Sequence, residues 1–117
     1  MKIKRYLFLF AFFPLFARST NLYWINGTGN WSDGSHWSYT SGGSSCNCVP
    51  VQTFDVVFDN NSFPSGGTVT VDQLAYCQDM TWTGVSNTPT FTGSQELDVY
   101  GSLTLSSAMN LNFTGPI

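Results

Sequence analysis

Residues 54–59 read FDVVFD. Phe54, Val56 and Phe58 fall on one side of an extended chain and Asp55 and Asp59 on the other, the period of two that marks a half-buried strand. The alternation recurs downstream. TVTV (68–71) sets Val69 and Val71 together, and MNLNF (109–113) sets Met109, Leu111 and Phe113 together. LDVYGSLTL (97–105) places Leu97, Val99, Leu103 and Leu105 inward, with Asp98, Tyr100, Ser102 and Thr104 outward. Between these runs lie turn-forming clusters: NGTGN, SGGSS, DNNSFPSGG, SNTP and TGS. No stretch after residue 20 spaces apolar residues at helical intervals, so the expected class is all-β.

A short motif narrows the architecture. MTWTG, PTFTG and LNFTG each carry an aromatic residue followed by Thr-Gly, at Trp82, Phe91 and Phe113. Periods near 20 residues are the mark of stacked repeats. The expectation is therefore the start of a right-handed β-solenoid, with a small β-sandwich as the alternative that explains the alternation equally well. NLNFTGPI stops without a polar cap, and a solenoid ending there would leave its last coil open. Residues 20–117 are accordingly expected to form a single β-rich module, the N-terminal part of a longer protein.

The first 19 residues have a different character. Lys2, Lys4 and Arg5 precede an apolar run from Tyr6 to Ala17, and Ala17-Arg18-Ser19 supplies small residues at the positions a signal peptidase reads. A transmembrane helix needs about 20 apolar residues, more than this run provides. Residues 1–19 are read as a secretory signal peptide. All four Lys and Arg residues lie within it, so the net charge of −3 becomes −7 once it is removed. A chain with seven carboxylates and no Lys or Arg cannot neutralise phosphates, which excludes nucleic acid and anionic lipid as partners.

Three cysteines enter an oxidising compartment, where disulfides form. Cys46 and Cys48 stand close together in sequence, so the expected bridge joins Cys77 to Cys48 or Cys46. Closing a loop of about 30 residues is worth on the order of 3 kcal/mol in the chain-entropy model. The odd thiol points to a partner elsewhere. With His36, the only histidine, the cysteines reach the ligand count of a structural zinc site, but their spacing fits no zinc motif. The stretches DNNS (59–62) and Asn26, Asn30, Asp33 supply oxygens without the calcium-loop pattern, and Asx turns explain them more simply. No metal or cofactor is expected.

Catalytic constellations are weak. No serine sits in a G-x-S-x-G elbow to accompany His36 and Asp33. Asp55 and Asp59, four residues apart on a strand, stand roughly 13 Å apart, too far for glycoside hydrolysis. Glu96 and Asp98 are closer, but on an outward face where carboxylates solubilise. The chain is expected to be no enzyme. The aromatic cluster Trp24, Trp31, Trp37 and Tyr39 is the candidate binding feature, since exposed rings stack on sugars. The competing reading has them roofing a sheet end, with His36 packed beside Trp37. Asn26, Asn30, Asn60 and Asn112 begin Asn-x-Ser/Thr sequons.

YWINGTGNWSDGSHWSYTSGG, followed by VVFDNNSF, VTVD, YCQDMTWTGV and LDVYGSLTLS, resembles the N-terminal region of large secreted surface proteins of Bacteroidota. The most specific part runs from Gly29 to Ser38. The resemblance implies a β-rich, exported, adhesin-like or gliding-associated protein of the type IX secretion cargo kind. No sorting domain or PKD-like repeat is present in these residues. The functional expectation is a non-enzymatic secreted or cell-surface structural module, with extracellular polysaccharide or cell-surface partners. The alternatives are a carbohydrate-binding module using Trp24, Trp31 and Trp37, and the N-terminal part of a polysaccharide-degrading enzyme with catalytic residues downstream.

Overall fold

The structure, a computed structural model, describes residues 20–117; the expected signal peptide lies outside the described residues. Eleven short strands run in chain order: β1 (Thr20–Trp24), β2 (Gly29–Asn30), β3 (Trp37–Ser38), β4 (Phe54–Phe58), β5 (Thr68–Val71), β6 (Ala75–Cys77), β7 (Met80–Trp82), β8 (Thr90–Gly93), β9 (Leu97–Val99), β10 (Leu103–Thr104) and β11 (Asn110–Phe113). A 3₁₀ turn at Gly34–His36 is the sole helical element among the described residues. The all-β expectation holds.

Among the described residues, no two consecutive strands pair with each other. The first sheet has the order β10-β7-β4-β1-β3, the second β11-β8-β5-β2, and β6 pairs with β9 in a third. Every pairing is parallel except β1 with β3. Parallel neighbours cannot be joined by a hairpin, so between paired strands the chain passes through at least one other sheet. Hairpin-linked sandwich topology is absent from these pairings.

The register explains why the alternation matters. In the first sheet Leu22 stands beside Val56, Val56 beside Met80, and Met80 beside Leu103. In the second, Val69 stands beside Phe91 and Phe91 beside Leu111. Ala75 and Cys77 stand beside Leu97 and Val99 in the third. In a parallel sheet, side chains in register point to the same face, so these residues form continuous rows, inward everywhere but at Leu111. Leu22, Val56, Met80, Val69, Phe91, Leu97 and Val99 are all buried. A one-residue slip in any strand would turn its row outward.

Two inward expectations and one outward expectation fail. Leu105 lies beyond the end of β10 and is exposed. Leu111, at 52% exposure, has an in-register neighbour on one side only, Phe91 of β8. Asp98, expected outward, is buried beside Tyr76 of β6. The aromatic-Thr-Gly motif also splits. Trp82 belongs to the first sheet, in register with Phe58, whereas Phe91 and Phe113 belong to the second. There the pairing sets Gly93, not Phe91, beside Phe113, although the two phenyl rings still stack with centroids 5.3 Å apart.

The core gathers around Phe58. Its ring stacks on Trp82 at 4.0 Å and lies within 6.4 Å of Trp24, Trp31, Trp37, Phe63 and Phe91. Aromatic pairs at such spacing add to the gain from burial. Phe58→Ala removes the shared partner of six rings. It is expected to destabilise by about 3–5 kcal/mol, read as a shifted midpoint in urea unfolding followed by tryptophan fluorescence.

Candidate functional site

The stretch from Gly29 to Ser38 forms a packed corner. After Trp24 the chain reverses through Asn26 and Gly27, both left-handed (φ 68° and 67°), and Trp24 Nε1 donates to the Gly27 carbonyl at 2.7 Å. β2 then lies against β5, where Trp31 N donates to Thr70 O at 2.8 Å. Asp33 caps the 3₁₀ turn: its Oδ1 accepts from Ser35 N at 3.0 Å and from Ser35 Oγ at 2.7 Å. These bonds hold the Asp33 carboxyl below its ordinary range.

The turn delivers His36 to the interior. Its Nδ1 lies 2.7 Å from Ile25 O, and since a carbonyl only accepts, Nδ1 carries the proton. The imidazole stacks on Trp24 with centroids 4.7 Å apart and planes 10° apart. The stacking partner of the ring is therefore Trp24, where the sequence suggested Trp37. On Gly29 a Cβ would come within 2.1 Å of His36 Nε2, so this position accepts only glycine while the ring is in place. Gly34 plays the same part toward Asn47 and Cys48, whose backbone leaves no room for a side chain. The Asp33 Oδ2 to His36 Nε2 distance is 3.9 Å, beyond hydrogen-bonding reach.

Trp24, Trp31 and Trp37 are the residues expected to present a sugar-binding platform, and the structure corrects that expectation. All three are within 1% of full burial. Trp37 crosses Trp24 edge-on at 5.1 Å and Trp31 at 4.9 Å, and its Nε1 donates to Trp31 O. A stacking platform needs free ring faces; here those faces are used by other rings. Tyr39, the fourth member of the cluster, is exposed.

The cysteine pairing is also corrected. Cys46 and Cys48 are bonded to each other, and Cys77 is free and buried in β6. In an extended chain residues two apart stand about 6.6–6.8 Å from each other. The left-handed Asn47 (φ 50°) bends the segment and brings the two Cα atoms to 5.2 Å, inside the range a disulfide spans. So short a loop recovers far less chain entropy than the 30-residue loop expected from the sequence. Burial, with lesser help from Asp79 and Asp55, pushes the Cys77 thiol up to about 12. A buried thiol that keeps its proton at neutral pH is a poor nucleophile.

The carboxylates serve backbone. Asp59 Oδ1 accepts from Asn61 N, its Oδ2 from Ser41 Oγ, and Asp59 N receives Ser62 Oγ as its acceptor, the Asx turn expected of DNNS. Asp55 Oδ1 accepts from Asp79 N at 3.1 Å, and Asp79 Oδ1 from Ser102 N at 2.8 Å. Each bond ties one strand entry to the next. Asp72 similarly holds Ser32 through both its backbone N–H and its hydroxyl. Among the described residues no three His, Cys, Asp or Glu side chains converge on a point where a metal could sit. Sequence reasoning missed the roles of Gly29, Gly34 and Asp79; two glycines shortly before a lone histidine were the available signal.

Comparisons with protein-family models, with curated proteins and with solved structures find no match.

Three measurements test these assignments. Gly29→Ala is expected to cost about 1–3 kcal/mol through overpacking, and His36→Ala in the same chain recovers part of that loss, giving a non-additive double-mutant cycle. For the cysteines, a thiol reagent should modify no residue in the folded chain and one, Cys77, in denaturant. Well below its unfolded value of 9.0 the Cys77 thiol is protonated in both states and contributes no pH dependence. Between 9.0 and about 12 only the unfolded chain releases that proton. Stability then falls by about 1.4 kcal/mol per pH unit, a slope that Cys77→Ala removes from urea titrations.

Proposed function

We propose that this chain is a non-enzymatic, secreted or cell-surface structural module of the adhesin-like kind, in which residues 20–117 begin a right-handed β-solenoid. The observation that carries the reading is the in-register row Leu22, Val56, Met80 and Leu103 across four parallel strands. The later intervals, 24 residues from Val56 to Met80 and 22 from Val69 to Phe91, suit one coil each. The right hand follows from the strong preference of parallel crossover connections. A rod of stacked coils has a job that is mechanical: it displays its outer faces away from the cell and resists unfolding through its repeated rows.

The side chains with chemical potential support a structural role. His36, Asp33, Asp59, Asp79 and the Cys46–Cys48 bridge are all engaged in holding turns. Partners at an extracellular polysaccharide or another cell surface accord with a strongly acidic chain that carries no Lys or Arg after Arg18. Export through the type IX route is part of the same proposal and rests on the resemblance of residues 23–43.

Expression in a Bacteroidota host with an antibody to residues 20–117 tests the reading. The exported form is expected to begin at Thr20 by N-terminal sequencing and to be accessible on intact cells or in the medium. Retention of the uncut chain in the cytoplasm would refute it. So would polysaccharide turnover by the purified chain that Asp33→Asn abolishes.

A further inference from the structure

Among the described residues, the second sheet presents an outer face built of threonine and asparagine. Its register sets Asn30, Thr70, Thr92 and Asn112 in one row across four parallel strands. A second row, two residues earlier, runs through Thr68, Thr90 and Asn110. Thr28 extends it toward β2, where its Oγ1 accepts from Thr68 N at 3.2 Å. On β5 and β8 the residues between the rows, Val69 and Phe91, are fully buried, so there the rows point away from the core; on β11 the intervening Leu111 is itself exposed beside Asn110 and Asn112. The four strands read GN, TVTV, TFTG and NLNF and include no charged residue.

The geometry of a parallel sheet turns these rows into a lattice. Neighbouring strands lie about 4.7–4.9 Å apart, and alternate residues along a strand about 6.6–6.8 Å apart. Hydroxyl and amide groups thus repeat in two dimensions at intervals close to the oxygen repeats of a prism face of hexagonal ice. Threonine suits such a surface because its branched side chain has few rotamers, so hydroxyl and methyl are held in place before binding. The rings of Phe91 and Phe113, stacked beneath, stiffen the support.

We propose that this Thr/Asn face binds ice, or the ordered water layer at its surface. A ligand with a two-dimensional repeat is the one such a lattice matches at many points together, each contact being weak alone. Mineral surfaces require charged side chains, and the four strands have none. Crystalline polysaccharide is held through exposed ring faces, and the rings of this sheet face inward. The inference goes beyond the surface-display reading and does not depend on it, because binding is measured on purified protein.

The full chain is frozen slowly in buffer and its partition between ice and liquid measured, together with grain growth in annealed frozen sucrose. Enrichment in the ice and a several-fold slowing of grain growth are expected. Thr70→Lys and Thr92→Lys should abolish both effects, while Thr81→Lys, on the outer side of the first sheet, should leave them intact. If the lysine variants lose their near-ultraviolet circular dichroism, Thr70→Val and Thr92→Val replace them; these keep the branched shape, and each should weaken the slowing several-fold. Exclusion of the full chain from ice overturns the proposal, whether or not it is retained on microcrystalline cellulose. Equal activity in the folded Thr70 and Thr92 variants overturns it too.

Discussion

The structure depends on parallel strands in register. Strand pairs that run the same way place like positions side by side, so every inward residue needs an inward neighbour on the next strand. Leu22, Val56 and Met80 satisfy that demand in the first sheet, and Val69 with Phe91 in the second. Phe58 ties the sheets together: its ring reaches tryptophans from β1, β3 and β7 as well as Phe91 of β8. The core is therefore aromatic around Phe58 and aliphatic along the Leu22–Val56–Met80 row.

Charge plays an unusual part. With no Lys or Arg among residues 20–117, the carboxylates cannot be neutralised by basic side chains there. They accept hydrogen bonds from backbone N–H groups and hydroxyls instead, as Asp33, Asp55, Asp59, Asp72 and Asp79 each do. A carboxylate bonded to backbone N–H groups is stabilised as the anion without a counter-charge. The bonds from Asp55 and Asp79 run from one strand entry to the next, so they reinforce the register set by the apolar rows.

The Gly29–Ser38 stretch, the most distinctive in the sequence, is a packing device. The imidazole of His36 lies on Trp24 and against Gly29, while Gly34 admits the Asn47–Cys48 backbone. Four residue types that commonly mark active sites (His, Asp, Cys and Trp) here build one corner of the fold. Their concentration reflects the difficulty of covering the β1 end with a turn-rich segment that has few aliphatic side chains of its own.

Strand content was legible in the sequence because alternation is a local property, carried within FDVVF, TVTV and LDV themselves. The charge distribution and the Asx turn at Asp59 could likewise be read from the chain alone. What tertiary structure decided was everything requiring knowledge of a distant neighbour. Cys46 bonds Cys48 rather than Cys77 because a left-handed Asn47 bends one segment and β6 buries the other thiol. The tryptophans became core rather than platform because their faces meet Phe58 and one another. Leu111 and Leu105, apolar and alternating like the rest, are exposed because burial is conferred by the next strand, and a side chain's own period cannot supply that strand.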